Sequence, residues 1–221
     1  MCGKFTQMAR WDGCVRPEDF ANAPDGPAET ITPMRHASVI RLNAEGGRET
    51  ARLRWGIVPP WTDDAGRAPL LHARAETLEE KKTFREAFLT RRGLVVVSTF
   101  NEGKEVAPNK TEQHVIASDD RKPIAIAVIW ERWSKKPGAP LETFAMVTVP
   151  PNRLIGTITD RMPAVIPYAS WGKWLGEGGA SVAELKTLLV PFEGNWTMQE
   201  ERPRKPKRPA PFVEPDQTTL F

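Results

Sequence analysis

The chain has 221 residues, 31 Lys and Arg against 28 Asp and Glu, a formal charge of +3 and 40% hydrophobic residues. These proportions are those of a soluble globular chain with one substantial core, and they exclude wholesale disorder. No run reaches the roughly 20 apolar residues that cross a bilayer, and two cysteines and three histidines leave little from which to build a disulfide framework, a metal centre or a cofactor site.

The start, Met1-Cys2-Gly3-Lys4-Phe5-Thr6, carries no apolar signal segment, which points to a cytoplasmic protein without a membrane partner. Glu49 to Trp55 alternates, with Ala51, Leu53 and Trp55 on one face and Thr50, Arg52 and Arg54 on the other, as a half-buried strand does. A helical stretch is predicted over 76–90, with Phe84 and Phe88 sharing its buried face. Leu94–Val97, Ile124–Trp130 and Phe144–Val149 are short, β-branched, buried strands. A further helix begins at Ser181, where Glu184 completes a capping box and Leu185, Leu188 and Leu189 turn inward. Strands outnumber helices and the connections are long, so the fold class is α+β in a single domain over 1–195. From 196 to 216 a basic, proline-rich stretch reads as an extended linker, and the final five residues, 217–221, turn apolar again.

Cys2 carries the most distinctive chemistry. Removal of Met1 places a free α-amine, pKa about 7.7–8.0, beside a thiol of about 8.5 on one residue. Such a 1,2-aminothiol condenses with an aldehyde to an imine, and the sulfur then closes a five-membered thiazolidine; alternatively the thiol attacks an amide with its own amine as base. Either route expects an exposed Cys2 close to acid–base groups. Cys14 reads as a buried small hydrophobe.

Several segments in order resemble the SOS-response-associated peptidase (SRAP) family: Met1-Cys2-Gly3-Lys4-Phe5, Trp55-Gly56-Ile57-Val58-Pro59-Pro60-Trp61, Ala73-Arg74-Ala75-Glu76-Thr77, Arg91-Arg92-Gly93-Leu94-Val95 leading to Glu102, Ile129-Trp130-Glu131-Arg132-Trp133 and Asp160-Arg161-Met162-Pro163. The resemblance implies a strand-rich, barrel-like core with flanking helices and a flexible C-terminal tail, arranged around a basic channel for single-stranded DNA. It also implies that Cys2 captures the ring-opened aldehyde of an abasic site as a covalent thiazolidine cross-link, within the DNA-damage response. Glu102 falls on the family's catalytic glutamate. The family's asparagine is His72 here, and its histidine is Thr159. Threonine does not titrate usefully, so His72 is either a relocated imidazole or a tolerated polar residue. Cross-link formation is expected to survive these changes better than peptidase action, which needs a competent base and charge stabilisation.

Lys4, Arg74, Arg85 and Arg161 are the candidate phosphate contacts, Arg74 and Arg161 foremost, since guanidinium suits phosphate. Trp61 is the candidate base-stacking surface. The terminal Gln217-Thr218-Thr219-Leu220-Phe221 resembles the bacterial sliding-clamp pentapeptide, with Leu220 and Phe221 as apolar anchors and Gln217 setting register. The chain is expected to act as a monomer. Two other readings stand beside abasic-site capture: an N-terminal-nucleophile cysteine peptidase, and a non-catalytic single-strand binder recruited by the clamp.

Overall fold

The computed structural model describes residues 2–7, 27–65 and 69–201; Cys14 and the terminal pentapeptide lie outside them. Among the described residues, β1 (Lys4–Gln7), β2 (Glu29–Ile31), β3 (His36–Leu42), β4 (Arg48–Trp55), β5 (His72–Arg74), β6 (Arg92–Ala107), β7 (Lys110–Ser118), β8 (Ile124–Trp133), β9 (Leu141–Val149), β10 (Met162–Pro163) and β11 (Trp196–Glu200) share one sheet. The pairings β9–β4, β4–β3, β3–β6, β6–β8 and β8–β9 run round in a ring, closed at β3–β6 by the single register pair Ile40↔Leu94. The α+β, strand-rich fold read from the sequence is therefore the fold observed. No described helix is long and apolar enough to cross a membrane.

The ring interior is the core. Val95, Ile126, Val128, Phe144 and Met146 are fully buried, because the first half of β6 and most of β8 and β9 are apolar runs packed on both faces. Trp55 ends β4 inside this core: its ring lies 5.2 Å from Phe5 and stacks at 6.4 Å on Phe144. Its indole N–H donates to the Leu71 carbonyl at 3.1 Å, which fixes the chain entering β5. Gly56 then turns the backbone at φ +124°, where a Cβ would sit 2.7 Å from Pro69. No L side chain fits that conformation.

The predicted helix over 76–90 is shorter in the structure. Ala75–Thr77 forms a 3-10 turn, Leu78 is drawn wholly into the core, and α1 occupies only Lys82–Thr90. Burial of Leu78 overrides local helical preference. Phe88 is fully buried and Phe84 packs partly buried against the same core. After α2 (Trp171–Leu175), α3 (Val182–Thr187) opens with the expected box, Ser181 and Glu184 capping one another reciprocally.

Arg92 ties the helices to the ring. It is 9% exposed and donates to the carbonyls of Phe88 and Leu89 at the end of α1 and of Trp174 in α2. A cation among the unpaired carbonyls of two helix ends is favourable both as donor and as charge.

The stretch expected as a linker from residue 196 opens with a strand. Trp196–Glu200 pairs antiparallel with β7, from Trp196↔Ser118 to Glu200↔His114, and Trp196 sets its ring edge-on to Phe100 at 6.0 Å and to Phe192 at 5.8 Å. Composition alone hid this strand because β11 is an edge strand with largely exposed positions, so only Trp196 and Met198 face apolar neighbours.

Candidate active site

Three elements meet at Cys2. The chain runs from Cys2 into β1, whose register on β6 pairs Lys4 with Asn101 and Phe5 with Phe100. Glu102 therefore comes one residue beyond the paired segment, on the inward face that Phe100 shares. β5 lies parallel on β9, with His72 opposite Met146, and points His72 at the same place.

The contacts are close. The His72 Nε2–H donates to the Cys2 carbonyl at 2.9 Å, and because a carbonyl only accepts, the ring proton lies on Nε2. The Cys2 thiol donates to the Lys4 carbonyl at 3.3 Å. Glu102 is 1% exposed, and the backbone N–H of Cys2 acts on its carboxyl, favouring the charged form. That nitrogen is the atom that becomes the α-amine once Met1 is gone.

Burial governs the electrostatics. It raises the Glu102 carboxyl to about 7, against the pull of the chain's terminal ammonium and the Cys2 N–H, with Asp160 adding a smaller upward push. Burial lowers His72 to about 4, so its ring is neutral at physiological pH. Burial, and secondly the Glu102 charge, hold the Cys2 thiol far above its ordinary value. The pocket thus holds a neutral thiol, a neutral imidazole and a carboxyl poised between its two forms.

Cys2 itself is enclosed, at 1% exposure, where the sequence led us to expect an open head group. The Cys2 side chain belongs to the core cluster. Arg161 has partners within the protein. Its guanidinium is committed inside the protein, bidentate to Glu76 at 2.7 and 2.9 Å and donating to the Thr148 carbonyl at 2.7 Å. It clamps two of the family-like segments together. Lys4 is likewise paired, with Glu201 at 2.6 Å.

The other expected residues lie as follows. Arg74 is exposed and, by strand alternation, projects on the face of β5 that carries His72. Arg85 is exposed on α1. Thr159 is partly buried and closes the 3-10 turn Ile155–Thr157 through its N–H to Ile155, next to the Asp160 charge that Glu102 feels. Trp61 is 41% exposed, with the Lys82 ammonium 5.0 Å from its ring centre, beside a cavity of about 550 Å³ that also touches Pro59 and Leu70. Among the described residues no group of three or more His, Cys, Asp or Glu side chains gathers to hold a metal. Sequence reasoning missed Glu76 and Glu201 as partners of the two cations. Glu76 stood inside a quoted motif, but an ion pair 85 residues apart in sequence has no local signature.

The sequence profile of the SOS response associated peptidase (SRAP) family matches residues 1–202. The chain belongs to the SRAP family. Within it, this SRAP protein is 30% identical over 200 residues to the abasic site processing protein YoqW of Bacillus subtilis, covering 88% of this chain and 89% of that one. It is 21% identical over 197 residues to the abasic site processing protein HMCES of Xenopus tropicalis, covering 79% of this chain and 58% of that one. A solved structure of a protein from Bacteroides thetaiotaomicron superposes with a TM-score of 0.78 at 24% identity, over 91% of this chain and 92% of that one, and so has the same fold. The matched segment ends at residue 202, directly after β11.

Proposed function

We propose that this SRAP protein captures abasic sites in single-stranded DNA by forming a thiazolidine through Cys2 after Met1 is removed. The observation that carries the reading is the burial of the Glu102 carboxyl, raised to about 7, at the Cys2 nitrogen, with His72 holding the Cys2 carbonyl at 2.9 Å. The α-amine attacks the aldehyde carbon of the ring-opened sugar to give a carbinolamine. Glu102 in its acid form gives a proton to the departing hydroxyl, which leaves as water, and the imine remains. The thiol then adds across the C=N bond, sulfur to carbon, its proton passing through the Glu102 carboxylate to nitrogen. One aldehyde, one amine and one thiol become one ring and one water, with no change of oxidation state. A carboxyl present in both forms at neutral pH serves both proton transfers.

His72 acts here as a positioning donor. A neutral ring whose Nε2–H is held by the Cys2 carbonyl orients the head group without accepting a proton, a task an asparagine amide also performs. Thr159 supplies no base, so peptide cleavage is expected to be much slower than cross-linking. Arg74 and Arg85 are the exposed cations offered to the strand, and Trp61 to its bases. The terminal Gln217-Thr218-Thr219-Leu220-Phe221 docks on the sliding clamp in this reading.

Incubating the Met1-free protein with an abasic single-stranded oligonucleotide should give a shifted band that survives denaturation, and Cys2→Ser should give none. Intact mass of the purified chain establishes whether Met1 is gone. A Met1-free wild-type protein that yields no stable band would overturn the proposal.

A further inference from the structure

The ion pair of Lys4 with Glu201 joins the first strand to the residue that follows the last. Glu201 is held by the sheet, its N–H donating to the Gln113 carbonyl at 2.7 Å as the continuation of the β11–β7 ladder. From there its carboxylate crosses to β1 and β6, where both oxygens lie 2.6 Å from the Lys4 ammonium and one also accepts from Asn101 Nδ2 at 3.3 Å. Lys4 and Asn101 are register partners, so their side chains share one face, opposite Phe5 and Phe100. Asn101 is only 3% exposed. A buried amide donor and an ammonium converging on two oxygens of one anion make a built oxyanion site, occupied by the protein's own carboxylate, two residues along the chain from Cys2.

We propose that this Lys4–Asn101 pair is a phosphate subsite of the DNA strand, and that Glu201 fills it until the strand arrives. This rests on the reading of the protein as a single-strand binder and adds to it the identity of one contact and of its competitor. A phosphodiester presents two oxygens on one centre, as a carboxylate does, and suits the same ammonium-plus-amide pair. A strand whose damaged sugar enters at Cys2 carries its neighbouring phosphate over the start of β1, where Lys4 stands. Binding there exchanges the Glu201 carboxylate for the phosphate, so Lys4 arrives already neutralised and sheds no counterion of its own.

The exchange has a signature that a purely structural ion pair lacks. In Glu201→Gln, Lys4 holds a mobile counterion that the strand must release. Measured in a Cys2→Ser background, so that only reversible binding is read, Glu201→Gln should bind an undamaged single-stranded oligonucleotide about two- to fivefold more tightly at low salt. Its plot of log affinity against log salt should be steeper by about 0.7. Lys4→Gln should weaken binding and erase both effects when combined with Glu201→Gln. Circular dichroism checks that each variant is folded. Unchanged affinity and slope in folded Glu201→Gln, with normal single-strand binding by its parent, would overturn the subsite and leave the proposed function standing. A gain abolished by inorganic phosphate at constant ionic strength would assign the site to free phosphate and overturn the strand assignment. No single-strand binding by the parent at any salt would overturn both.

Discussion

Glu102 and His72 are driven in opposite directions by the same burial, and the consequence is visible in stability. The Glu102 carboxyl titrates near 7 when folded, against an ordinary 4.5. Between those values the folded chain binds the extra proton, so this group's stabilisation is present below pH 4.5 and is lost as pH rises through 7. His72 titrates near 4 against an ordinary 6.5, so the unfolded chain binds the extra proton and stability is lost as pH falls through that window. The two windows overlap between 4.5 and 6.5, and the wild type should show little net slope there. Glu102→Gln leaves His72 alone, and stability should then rise with pH, by up to about 1.4 kcal/mol per pH unit. His72→Asn should show the opposite slope, and melting curves taken from about pH 4 to 8 check both. The same substitutions separate the chemical roles. His72→Asn keeps a donor toward the Cys2 carbonyl and should cross-link near the wild-type rate, whereas Glu102→Gln should slow cross-linking about 10²–10⁴-fold in a timed denaturing gel. A slow His72→Asn that loses an inflection near pH 4 would restore the imidazole as a base.

At the scale of elements, the helices depend on single buried cations more than on their own length. α1 has nine residues and α2 five, both too short to persist alone. Arg92 joins both to β6 through three carbonyls. Replacing it by methionine keeps much of the volume but strands those acceptors, and should cost about 3–5 kcal/mol, read as a lowered urea midpoint. Arg161 plays the matching role between the 3-10 turn at Glu76 and β9. Removing it should disturb cross-linking through the position of His72 and Arg74, and not only through a lost phosphate contact.

For the whole molecule, β11 belongs to the sheet of the domain. A chain stopped after residue 201 keeps Trp196 against Phe100 and Phe192 and should melt with the full-length protein. One stopped after 195 loses that ring and the ladder to β7, and its melting temperature should fall by about 5–10 °C. Removing only residues 217–221 should abolish capture by an immobilised sliding clamp while leaving the cross-linking rate unchanged. Clamp capture that persists without them would refute the pentapeptide's role.

The sequence by itself determined the strands β4, β6, β8 and β9, the capping box at Ser181 and the family, because these depend on local alternation, local hydrogen bonding and short ordered motifs. It also named Cys2, Glu102 and His72 as a set, since each sits in or beside a quoted motif. The β6–β7 hairpin was within reach: Pro108-Asn109, with Asn109 at φ +62°, is a turn signal between two strands. Only the tertiary structure decided which cations are free. Arg161 and Lys4 carry the same charge in sequence as Arg74, yet each meets a carboxylate 85 or 197 positions away that no window of the chain contains. The pKa values of Glu102 and His72 belong to the same class, because desolvation is a property of what the folded ring packs around a group and not of the group's neighbours along the chain.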